Sequence, residues 1–166
     1  MENIRNVALY LLILMTGLYA GIHFAEIMAP VVQKMDVQQY TQYWQLVDGY
    51  MGKRMPVFGM LFLLLFAFNI ILFIPKWKSP VFWVLIVCLS ILIFDIVFTG
   101  KEQIPINHYI QSVNANNLTS KQLQTISEMK TKAENNFSIR DFLSIGSFFL
   151  MTCTPFLLTR QNKSSV

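Results

Sequence analysis

Four stretches of the chain are continuously apolar over the length that a helix needs to cross a bilayer, roughly 20 residues for a hydrocarbon core of about 30 Å. The first runs from about Val7 to Met28, broken only by Thr16, Tyr19, His23 and Glu26 on its way out. The second, from about Val57 to Ile74, is bracketed by Pro56 and Pro75 and carries one polar residue, Asn69. The third, about residues 81–99 between Pro80 and Gly100, is interrupted late by Asp95, and the fourth, about Phe142 to Thr159, offers Ser144, Ser147, Thr152 and Thr154 before a kink at Pro155. The pattern predicts an all-α, integral membrane four-helix bundle, one domain over residues 1–166.

Two longer segments join the spans. In the outer one, Thr119 and Gln122 have the spacing of a capping box, and Leu123, Ile126 and Met129 then recur at helical intervals. An amphipathic helix is expected there, over the bundle or on the membrane surface. In the loop from Ala29 to Pro56, Tyr40, Tyr43, Trp44, Val47 and Tyr50 form an aromatic stripe ahead of Lys53 and Arg54, which reads as an interfacial belt. Together the two segments predict an extracytoplasmic cap.

Composition agrees with the pattern. Of 166 residues, 54% are hydrophobic and only 13% charged, about half the charge of an ordinary soluble domain. Mean hydropathy is +0.47. Too few polar groups remain to clothe a soluble enzyme, disorder is excluded, and a net charge of +4 spread over loops argues against nucleic acid as a partner. Arg5, the Lys76/Lys78 turn and Arg160 with Lys163 fall on one side of the spans, opposed only by Glu2. By the positive-inside rule both termini are cytoplasmic, the long loops lie outside, and the chain belongs to the plasma (inner) membrane with lipid as its surroundings. The first span is too long for a cleaved signal peptide. Cys88 and Cys153 lie in spans and read as packing residues.

The chemistry concentrates at one depth. Ionisable groups in hydrocarbon cost several kcal/mol each, about 2.5–3.5 on insertion scales, and need a partner or a cavity. His23 and Glu26 end span one, Asp95 is about a turn from the end of span three, and Arg140 immediately precedes span four. At about 100° per residue Thr16, Tyr19, His23 and Glu26 share a face of the first helix. Gly17 and Gly21 lie on nearly the opposite face, where GxxxG spacing suits close packing within the monomer or in a homodimer. Arg140 is placed to neutralise Asp95 or Glu26. His23 and Glu26, three apart, could share a metal ion. With only His108, Asp95 and Glu102 to add, the ligand inventory is too thin for a dinuclear iron centre. Haem between His23 and His108 is disfavoured with His108 in a loop beside Pro105, so no cofactor is expected. Asn69 reads as an interhelical hydrogen-bonding residue.

The order of elements carries a resemblance. A first span ending Gly21-Ile22-His23-Phe24-Ala25-Glu26 and then Pro30, a tight hairpin of spans, Ile104-Pro105-Ile106-Asn107 after span three, and Asn135, Asn136 and Arg140 before the last span together resemble the anthrone oxygenase family of small four-helix membrane proteins. Pro105, Asn107 and Arg140 match the family pattern; Ala133 and Phe137 stand where family members tend to carry Trp and Asn. The resemblance implies cofactor-free oxidation of an anthrone, or another lipophilic substrate with an activated methylene, by molecular oxygen. His23 or Glu26 would then be the base, and Arg140, Asn107 and His108 would stabilise the anion, with Asp95 and Tyr19 lining the site. The competing expectation is a non-catalytic membrane module that binds a lipophilic molecule or assists a larger complex. A pocket open to His23, Glu26 and Arg140 would favour the enzyme, and closed Arg–carboxylate pairs the module.

Overall fold

A computed structural model describes residues 2–164 of the chain, which are almost wholly helical and contain no strand among the described residues. Seven helices follow in order: α1 (Glu2–Met28), α2 (Val31–Lys34), α3 (Val37–Phe73), α4 (Pro80–Phe98), α5 (Ile104–Ser112), α6 (Ser120–Thr152) and α7 (Thr154–Ser164). Four helical segments, built on α1, α3, α4 and α6, are long and apolar enough to cross a membrane.

Each of the four turns a narrow seam inward. The buried positions of α4 are Val81, Leu85, Cys88, Leu92 and Asp95, and those in the apolar half of α3 are Phe62, Phe66, Asn69 and Phe73. In α1 they are Ala8, Leu9, Leu12, Thr16, Tyr19, Ala20 and His23. Alternating steps of three and four keep one side of a helix against its neighbours, as in a left-handed bundle. Outside the seam the side chains are still large and apolar: Leu14, Leu18, Leu64, Ile71 and Phe149 are each at least 60% exposed. Such a belt is what a bilayer solvates and water does not. Within the seam Asn69 donates to the Ala8 carbonyl at 3.1 Å and to Leu65 at 2.9 Å, tying α3 to α1.

Local sequence sets the helix ends. Asp36 caps α3 through a reciprocal pair of bonds with Gln39, and Thr119 caps α6 likewise with Gln122, so the spacing read from the sequence is a real capping box. Ser79 caps α4 ahead of Pro80. The hairpin between α3 and α4 is a single 3₁₀ turn, Ile74–Lys76.

The segments expected to be loops are mostly helix. α3 begins at Val37 and runs 37 residues without stopping at Pro56, and α6 runs 33 residues from Ser120 straight into the fourth span. At 1.5 Å per residue these helices are about 55 and 50 Å long, far more than a hydrocarbon core requires. Pro56 removes one intrahelical bond, and the carbonyl its ring faces is that of Gly52, which carries no side chain. The amphipathic segment at Leu123, Ile126 and Met129 is therefore the first half of α6, standing on the bundle rather than lying on a surface. Pro155 falls at the start of α7, after a turn at Cys153, so the expected kink is a helix break.

The overhanging halves of α3 and α6 pack with α5 into a second core of Tyr40, Trp44, Ile106, Ile110, Val113, Ile126 and Ala133. Two members of the aromatic stripe, Tyr40 and Trp44, are thus interior, while Tyr43 and Tyr50 are exposed. Gln45 of α3 donates to the carbonyls of Ile110 and Val113, both at 2.8 Å, closing the end of α5. A π-helical turn, Thr99–Gln103, joins α4 to α5. Cys88 is buried, Cys153 is exposed, and both are free thiols.

Candidate polar site between the first and last spans

The site lies where α1 meets α6, at the end of the bundle next to the second core. Tyr19, His23 and Glu26 come from successive turns of α1, Asp95 from the last turn of α4, and Arg140 and Asp141 from the middle of α6. Two connected sets result.

The first set is closed. Arg140 donates from Nε to Asp95 Oδ1 at 2.7 Å and from Nη2 to the Tyr19 hydroxyl at 3.3 Å, and the Tyr19 hydroxyl donates to the other Asp95 oxygen. The side chains of Arg140 and Asp95 are only 11% and 7% exposed. Tyr19 packs its ring on Phe58 and Phe62. The Arg140 guanidinium also lies over the Phe137 ring, which stacks at 5.5 Å on Trp44 of the second core. Charge, phenol and aromatic faces leave this arginine little to offer a ligand.

The second set is open on one side. His23 Nδ1 and Asp141 Oδ1 are 2.7 Å apart, both groups buried. The Tyr19 ring meets the His23 ring edge-on, centroids 4.9 Å apart. Glu26, one turn beyond His23 and half-buried, is close enough that one ligand atom from each of His23, Glu26 and Asp141 lies within 4.8 Å of the others. No hydrogen bond or ion pair of the Glu26 carboxylate is found among the described residues. Beside this set is an open groove of about 440 Å³, lined by Ile27 of α1 and by Ser138, Asp141, Phe142, Ile145, Gly146 and Phe149 of α6; of the polar cluster only Asp141 lines it, and His23, Glu26 and Arg140 do not. Phe142 and Phe149 are strongly exposed, so the groove faces outward from the bundle rather than into its interior.

Five of the seven residues singled out in the sequence therefore come together: Tyr19, His23, Glu26, Asp95 and Arg140. Two do not. Asn107 bonds Asp48 at 2.9 Å and Gln103 at 3.0 Å in the second core. His108 is exposed on helix α5, not in a loop, and faces none of the cluster. Asp141, adjacent to Arg140 in sequence, is a member of the site that the sequence reading misses. The signal that could have found it is the run Asp141, Ser144, Ser147, a polar seam at three-residue steps that continues the buried face of α6.

Compared with protein-family models, with curated proteins and with solved structures, the chain matches none.

Proposed function

We propose that the protein is an integral membrane protein that binds a lipophilic small molecule in the groove along α6 and exchanges a proton with it through the His23–Asp141 pair. Insertion is supported by the four apolar helices and by the belt of exposed leucine, isoleucine and phenylalanine around them. The positive-inside pattern supports cytoplasmic termini, with the second core outside the plasma (inner) membrane.

The observation that carries the reading is the junction of an apolar groove with Asp141, which is itself hydrogen-bonded to a buried imidazole. A carboxylate that orients a histidine is the arrangement of a general base. Anthrone-type substrates need such a base: deprotonation of the activated methylene gives an electron-rich enolate that reduces molecular oxygen directly. Arg140 and Asn107, both already engaged, support that chemistry less than His23 does. Oxygen uptake with an anthrone in protein-containing nanodiscs is the test. His23→Gln and Asp141→Asn should each lower turnover at least a hundredfold; full activity in both variants rules the base out.

The second reading, a non-catalytic module, is favoured by the closed Arg140–Asp95–Tyr19 set, which resembles a structural lock, and by the groove's reaching Asp141 but not His23, Glu26 or Arg140. Absence of oxygen uptake together with saturable binding of a lipophilic ligand would select it.

A further inference from the structure

We infer that His23, Glu26 and Asp141 form a binding site for a single divalent first-row transition-metal ion. Counting cofactor ligands along the sequence finds only the His23/Glu26 pair on α1; the third ligand arrives from α6 and is invisible until the helices are packed.

Three observations converge. The first is geometric. Ligands about 2.1 Å from one ion are separated from each other by about 3.0 Å when adjacent and 4.2 Å when opposite. Candidate atoms of the three side chains already lie within 4.8 Å of one another, with the His23 Nδ1 and Asp141 Oδ1 atoms 2.7 Å apart, so small side-chain rotations close the set. His23 and Glu26 are held three residues apart on one helix face, and Asp141 is fixed by the packing of α1 against α6.

The second is charge. Arg140 is committed to Asp95 at 2.7 Å. That leaves the Glu26 and Asp141 carboxylates at the rim of the buried bundle with an imidazole as their partner, and among the described residues neither is paired with a lysine or arginine. Two carboxylates and a neutral imidazole around a divalent ion make a neutral centre, the form an apolar surrounding tolerates.

The third is access. Asp141, alone of the three, lines the open groove, so the coordination positions that three protein ligands leave free can open toward it on the Asp141 side. Three ligands and open positions are the pattern of a working metal centre rather than a sealed structural one. The imidazole favours manganese, iron or zinc over magnesium and calcium, and the two carboxylates disfavour copper(I).

This inference goes beyond the ligand-binding reading and does not depend on it. With an ion bound, the His23 imidazole is a ligand and no longer a proton acceptor, so base chemistry belongs to the ion-free form of the same cluster.

The test uses untagged full-length protein in detergent, stripped with EDTA, reloaded separately with Mn²⁺, Zn²⁺ or Co²⁺, and passed through a desalting column, with no organic ligand present. Elemental analysis should find about one ion per chain for at least one metal. The Co²⁺ form should show ligand-field absorption. Glu26→Gln should weaken binding at least tenfold; among the described residues Glu26 has no hydrogen-bond partner to lose, so the metal-free variant should unfold at the wild-type temperature. Asp141→Asn should weaken binding similarly, while His108→Ala, which alters the exposed histidine, should bind as wild type. Failure of all three ions to be retained, or wild-type affinity in Glu26→Gln, overturns the site. Neither result bears on oxygen uptake by the stripped protein, so the two proposals fail separately.

Discussion

Removing one partner of the Arg140–Asp95 pair should be the most damaging single change that can be made in the bundle of four long apolar helices. The pair is 2.7 Å long, and its side chains are 11% and 7% exposed, so solvent screens it little. Asp95→Leu leaves the guanidinium with the Tyr19 hydroxyl as its hydrogen-bond partner and the Phe137 ring against its face. Breaking a buried pair from one side costs about 3–5 kcal/mol. In a bilayer the unfolded state keeps its helices and a stranded charge snorkels toward the headgroups, so the lower end, about 3 kcal/mol, applies. Arg140→Met should cost about as much, because it strands the Asp95 carboxylate. The double variant Asp95→Leu/Arg140→Met removes both charges and leaves only the Tyr19 hydroxyl short of partners, at about 1–2 kcal/mol. The double-mutant cycle should therefore give a coupling of at least about 3 kcal/mol. Reversible unfolding by sodium dodecyl sulfate in mixed micelles, followed by far-ultraviolet circular dichroism, measures all four corners. A cost below about 1 kcal/mol for Asp95→Leu, or a double variant as unstable as the sum of the singles, refutes the view that this set locks three helices together.

Two further outcomes are expected. A Cβ at Gly17 would sit 3.0 Å from the Phe148 ring, whereas one at Gly21 meets nothing within 4 Å. Gly17→Val should accordingly cost about 1–3 kcal/mol by overpacking, and Gly21→Ala should be neutral or gain up to about 1 kcal/mol from helix propensity, both read by unfolding in the same micelles; an equal loss at the two sites would mean that Gly21 packs against a second copy. For orientation, single cysteines at Gln122 and at Asn162, in a background lacking Cys88 and Cys153, should react with an impermeant maleimide only at Gln122 in intact cells, and labelling at Asn162 alone would invert the assigned topology.

What could be read from the sequence was whatever depends on composition within a single helix. The four apolar runs, the Thr119/Gln122 capping box and the polar face of α1 are all local patterns, and each has its counterpart in the structure. Asp95 as a partner for Arg140 followed from the expense of an unpaired charge in hydrocarbon. What could not be read depends on how helices meet. Polar residues such as Gln42, Gln45 and Asp48 look like a loop in isolation, yet they belong to a helix on which Tyr40 and Trp44 are buried in the second core while Gln45 and Asp48 hydrogen-bond to α5. Pro56 looks like a boundary because its local effect is to break a hydrogen bond, and packing on both sides of it overrides that preference. Asn107 and His108 are placed at the cluster only by the family resemblance; the π-helical turn at Thr99–Gln103 instead delivers α5 to the second core, where Asn107 meets Asp48.

The pairing of the first helix with the last has a consequence for how the chain is made. His23 and Asp141 are 118 residues apart. At ribosomal speeds of about 5–20 residues per second, the interval between their syntheses is about 6–24 s. For that time, in a chain inserted as proposed, α1 holds a histidine and a glutamate without the helix that receives them. An insertion machinery handling this chain must either shelter α1 beside its own polar surface until α6 emerges or release it with those groups drawn toward the interface. A ribosome stalled before Arg140 would yield a polypeptide carrying three of the four long apolar helices, α1, α3 and α4, and an unmatched Asp95, recognisable as unfinished by the same groups that close the completed bundle.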